Sequence, residues 1–63
     1  MTPRQLECTF ATMRRCGGSF CRSLAQTWQC ADTRNRARIE QAFPEYLLKY
    51  GPDGIHYTEA IYD

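Results

Sequence analysis

A chain of 63 residues is one domain at most, and at that length folding buries only about 60% of the surface the unfolded chain exposes, so the core is marginal. Its net charge of +1 falls short of the strongly basic balance of a dedicated nucleic-acid binder. The opening MTPRQLECTF has no apolar run of signal-peptide or membrane-span length, so we expect a cytosolic protein with reduced thiols and no membrane partner.

The charge is unevenly placed. Residues 1–38 hold seven arginines against Glu7 and Asp32, a balance of +5; residues 39–63 hold Lys49 against Glu40, Glu45, Asp53, Glu59 and Asp63, a balance of −4. Either the halves fold against each other and cancel, or the basic half offers a face to nucleic acid or an acidic protein.

In chain order, Thr2-Pro3-Arg4-Gln5 predicts a helix start: Thr2 caps, proline suits the first helical position and Gln5 completes a capping box. Leu6, Phe10 and Met13 follow at helical spacing as one narrow apolar stripe. Gly17-Gly18 ends the segment, because glycine tolerates the left-handed conformation that closes helices, and Ser19 is the expected cap of a second helix carrying Phe20, Leu24, Trp28 and Ala31 inward. Asp32 is the expected cap of a third, TRNRARIEQAF, with Ile39 and Phe43 on one side and Arg34, Arg36 and Arg38 mostly toward water. Pro44 interrupts it, predicting a kink or a fresh short helix PEYLLKY that Gly51-Pro52 stops. The tail IHYTEAIYD, with Ile55, Tyr57, Ile61 and Tyr62, is too apolar to float free, and we expect it to pack back as a short helix capped by Thr58. No two-residue periodicity is sustained, so the expected architecture is all-α: a small bundle of three to four helices with a C-terminal tail packed back.

Four cysteines, Cys8, Cys16, Cys21 and Cys30, raise the question of staples. At about 100° per residue Cys21 and Cys30 lie about 180° apart on one helix, and Cys8 lies about 200° from Leu6, away from the first apolar stripe. That divergence opposes both a doubly bridged hairpin and a tetrahedral zinc site, and the spacings match no paired zinc knuckle. Free, mostly buried thiols are expected, with His56 as a surface residue and no metal or cofactor.

The stretch CGGSFCRS, residues 16–23, resembles the phosphate-binding loop of the low-molecular-weight protein tyrosine phosphatases. The resemblance implies Cys16 as nucleophile, Arg22 as phosphate clamp and backbone N–H groups from Gly17 to Cys21 as the cradle. The family sets that loop after a buried parallel strand in a much longer α/β domain, whereas LECTFATMRR before it here is polar and capped as a helix. The residues alone read as a helix-helix turn, or as an anion site without catalysis built from Arg14, Arg15, Gly17, Gly18, Ser19 and Arg22. A helix-turn-helix fits poorly, because a turn at Gly17 or Gly18 sets Met13 or Arg14 where a small residue must pack.

Eight of the 63 residues are aromatic, and Phe43, Tyr46, Tyr50, Tyr57 and Tyr62 crowd the acidic half. They either close the core around the tail or form an interface, since tyrosine with arginine is a composition favoured at protein contacts. An obligate partner or a homodimer reconciles a marginal core with so many rings. Finally, TFATMRRCGGSFCRSLAQTW with NRARIEQAFPEYLLKYGP resembles a group of small proteins encoded by bacteriophages and prophages of Gram-negative bacteria. That resemblance implies stoichiometric binding to a host protein rather than chemistry. The expected interface residues are Trp28, Tyr46 and Tyr50, if exposed, with Arg34, Arg36 and Arg38 as a charged rim. The alternative is a small nucleic-acid-binding regulator using Arg14, Arg15, Arg22 and those same three arginines.

Overall fold

The computed structural model describes residues 1–59 and is all-helical over them: α1 Pro3–Cys16, α2 Gly18–Cys30, α3 Thr33–Ala42 and α4 Pro44–Tyr50. The expected starts of α1 and α3 are as the residue types dictate. Thr2 accepts from the Gln5 N–H at 3.1 Å while its own N–H donates to the Gln5 side chain at 2.9 Å, and Asp32 accepts from the Asn35 N–H at 2.8 Å. Pro44 ends α3 and opens α4, and Gly51 stops it.

The α1–α2 corner differs from expectation. Gly17, not Ser19, is the cap of α2, and no side chain bonds there. Gly18 adopts φ +80°, so the left-handed residue is the second glycine. Gly17 is needed for a different reason, because a β-carbon on it would collide with the Cys21 side chain and the Met13 carbonyl. The Cys21 side chain of α2 and the Met13 carbonyl of α1 both crowd that point.

This close approach fixes the rotation of α2. Its buried stripe is Cys21, Ala25 and Trp28, small residues first, while Phe20 is 53% exposed and Ala31 only half-buried. Of the four residues expected to face inward, Trp28 is buried and Leu24 packs against the core from its edge. The core joins Phe10 and Met13 of α1, that α2 stripe and Tyr50 of α4, with the Phe10 and Trp28 rings stacked at 4.3 Å and 7°.

α1 is covered on two sides: Cys8, off the apolar stripe as its spacing from Leu6 predicts and outside the core cluster, is fully buried, as are Thr9 and Thr12. The C-terminal segment, residues 51–59, supplies the second cover. Arg15 donates to the His56 carbonyl at 3.0 Å, Arg4 pairs with Glu59 at 3.3 Å, and Tyr57 bonds Glu59 at 2.7 Å while reaching the Cys8 thiol. The Thr9 and Thr12 hydroxyls turn back to the Gln5 and Cys8 carbonyls at 2.7 and 2.8 Å, so burying them strands no donor. The basic and acidic halves thus meet along α1, and the described part of the tail packs back as expected. Ile61, Tyr62 and a helix capped by Thr58 lie outside the described residues.

Candidate binding surface

Trp28 is the hub that attaches α3. Its indole N–H donates to Glu40 Oε2 at 2.8 Å, and the Arg36 guanidinium lies over its ring at 4.1 Å. Arg36 also donates to the Trp28 and Gln29 carbonyls at 2.9 and 3.0 Å and reaches Glu7 at 3.9 Å. A cation on the last carbonyls of α2 satisfies acceptors the helix leaves open and suits the negative end of its dipole. Arg36 is therefore a fastener of the fold rather than a rim residue facing water.

The expected interface residues separate accordingly. Trp28 and Tyr50 are 3% and 5% exposed and belong to the core, so the condition attached to them, exposure, is not met. Trp28 is held inside because its ring stacks on Phe10 and its one polar atom is satisfied by Glu40. Arg34 and Arg38 do face solvent, Arg38 donating to the Asn35 side chain at 3.4 Å. Tyr46 is half-buried, and beside it stand Phe43, expected either in the core or at an interface, and Phe20, expected to face inward. Ring centroids are 5.6 Å for Phe20–Tyr46, 5.8 Å for Phe20–Phe43 and 6.1 Å for Phe43–Tyr46. The signal for Phe20 was present: a residue one place from Cys21 lies about 100° around the helix from it, so once Gly17 presses Cys21 against α1, Phe20 must face sideways.

An open groove runs from this trio between α2 and α3, walled by Ser23, Thr27 and Cys30 on one side and Arg38, Ala42 and Phe43 on the other. Its small and apolar side chains are joined by the polar Gln26 and Asn35 and by one charge, Arg38. The Thr27 hydroxyl donates to the Ser23 carbonyl at 2.9 Å, which leaves that wall with less polar demand than its composition suggests.

The glycine corner is arranged differently from a phosphate loop. Cys16 is the last residue of α1, the Gly17 N–H donates to the Met13 carbonyl at 2.9 Å, and α1 occupies the place of the strand in the phosphatase family. Arg14 reaches Gln29 at 3.4 Å and Arg15 is turned to the C-terminal segment, so the two do not converge with Arg22 over Gly18 and Ser19, which are exposed. The four thiols are free; Cys8 and Cys21 are buried, whereas Cys16 and Cys30 are exposed. Among the described residues no three His, Cys, Asp or Glu side chains are grouped to hold a metal, and no helix is long and apolar enough to cross a membrane.

Electrostatics single out the tail clasp. The Tyr57 hydrogen bond, and then Arg4, hold the Glu59 carboxyl below its ordinary value, while burial and then Glu59 push the Tyr57 phenol upward. Compared with known protein families, curated proteins and solved structures, the chain matches none.

Proposed function

We propose that this protein is a small phage-encoded binding module that acts stoichiometrically, without chemistry, on a protein of the host cytoplasm, as an inhibitor or modulator. One observation carries the reading: Phe20, Phe43 and Tyr46 form a ring cluster at the surface although the core already has its own aromatic stack in Phe10 and Trp28. Phe20 stays half-exposed in that cluster, and large rings held together beside water are the usual anchors of protein interfaces. Arg34 and Arg38 provide the charged rim. Arg36, by contrast, is occupied within the fold, which takes one of six arginines from the nucleic-acid reading.

The test is affinity capture from a bacterial host lysate with the wild-type chain and with Phe20→Ser, each with and without nuclease. A host protein retained after nuclease treatment by wild type and lost by Phe20→Ser, with the thermal midpoint shifted only slightly, is the expected result. Loss of all bound material on nuclease treatment, or a steep fall with rising salt, turns the assignment to nucleic acid. Phosphatase turnover abolished by Cys16→Ser would turn it to an enzyme.

A further inference from the structure

We propose that the groove between α2 and α3 seats an acidic amphipathic helix of the partner protein. This rests on the binding-module reading and names the kind of segment bound. Three features of the groove select that occupant. It is open along its length rather than enclosed, which suits a rod better than a small molecule, whose sites bury most of the ligand. The stretch of α3 that lines it, Asn35 to Ala42, gives a wall about 12 Å long, enough for roughly two helical turns of a ligand. Its surface sets the small and apolar Cys30, Ala31, Ile39 and Ala42 beside the polar Gln26 and Asn35, with Phe43, against Phe20, at one end to receive a larger side chain. Such a floor accepts the i, i+3, i+7 stripe by which amphipathic helices dock.

The sign of the charge is set by the rim. Arg38 is the one charged residue among those lining the groove, and Arg34 is exposed one turn earlier on the same helix. The nearby carboxylate of Asp32 is already engaged as the cap of α3. A docked helix therefore meets cationic side chains along α3, and carboxylates on its flank fix its orientation while a basic helix is repelled.

Cys30 supplies the readout, because its exposed thiol lines the groove while the exposed Cys16 thiol lies at the other end of α2. The full chain is alkylated with a maleimide in the presence of either of two synthetic helical peptides, both with leucines at i, i+3 and i+7, one flanked by glutamates and the other by lysines at the same positions. The acidic peptide is expected to slow modification of Cys30 and leave Cys16 unchanged, and the basic peptide to protect neither. Arg38→Glu, an exposed change that leaves the core intact, is expected to weaken the acidic peptide about tenfold, the size of one close charge pair, and to admit the basic one. Equal protection by both peptides, or by neither, overturns the proposal. So does Cys30 protection that grows with protein concentration alone, which assigns the groove to a second copy, or protection by an oligonucleotide. Host-protein capture that depends on Phe20 but ignores Arg38→Glu leaves the binding-module reading standing and removes the acidic helix. Capture indifferent to both substitutions removes both.

Discussion

The hairpin α1–α2 and the helix α3 are held by different physics. α1 and α2 share a buried apolar core pressed together at Gly17, so their association follows from area removed from water. No residue of α3 is fully buried; Ile39 packs at the core's edge, and the helix is otherwise attached through Arg36 and Glu40 on Trp28. Directional polar contacts fix a helix in place without covering its outer side. That difference is why the groove and its rim lie along α3, and why the element with least hydrophobic attachment borders the proposed binding surface.

Trp28 belongs to both regions, so its loss should weaken both. Trp28→Ala removes the ring stacked on Phe10, leaves Glu40 without its indole donor and takes away the ring under Arg36, which keeps its carbonyl bonds, and truncating a buried tryptophan costs about 3–5 kcal/mol. By the per-residue scale for small domains, 63 residues hold only roughly 3–9 kcal/mol in total. The variant is therefore expected to lose most of its helical circular dichroism at 37 °C. A cooperative melt near the wild-type midpoint would show that the hairpin does not depend on this ring.

Arg36→Met separates the two regions, since it retains a long apolar stem and removes only the directional contacts. Losing two carbonyl hydrogen bonds and a cation over an indole costs about 1–3 kcal/mol. The cost is expected to fall on α3 alone: amide exchange speeds up across Thr33–Ala42 while α1 and α2 keep their protection. Uniform acceleration through all four helices would mean that the two regions open as one unit.

How much of this was legible in the sequence follows the same division. Short-range chemistry read through directly: the Thr2 and Gln5 box, the Asp32 cap, the Pro44 restart and the Gly51 stop all depend on residues a few places apart. The rotation of α2 did not, because two stripes compete on it. Phe20, Leu24, Trp28 and Ala31 form the more apolar one, yet of these only Trp28 is fully buried, in line with Cys21 and Ala25, whose small side chains fit the close contact at Gly17. The burial of Cys8 agrees with its expected role as a small hydrophobe, but its contact with Tyr57, far along the chain, was hidden. Arg36 looked like its exposed neighbours Arg34 and Arg38, and only the meeting of α2 with α3 distinguishes it. Of the candidate surface, the sequence therefore indicated Tyr46, Arg34 and Arg38 but neither Phe20 nor the groove.

The smallest effect is expected at the tail clasp, and its sign is fixed by which form the fold prefers. Glu59 is held below its ordinary value of 4.5 by the Tyr57 hydrogen bond and by Arg4, so the folded state favours the carboxylate. Its contribution is complete above the unfolded value and is lost as pH falls through the lower folded one. Tyr57 has the opposite sense: burial and the bond to Glu59 favour the neutral phenol, so its contribution is complete below 10.0 and declines as pH rises beyond that. The clasp should thus hold from about pH 5 to pH 10 and loosen at both extremes. Because Arg4 and Glu59 are both well exposed, the pair is screened by water and its release should leave the thermal midpoint nearly unchanged. The expected signature is local: below pH 4 a dipyridyl disulfide, which still titrates thiols in acid, reaches the buried Cys8 faster than it does at pH 6, a step absent from Glu59→Gln, while Cys21 stays protected. Equal exposure of Cys8 and Cys21 on acidification would assign the transition to the core between α1 and α2 instead.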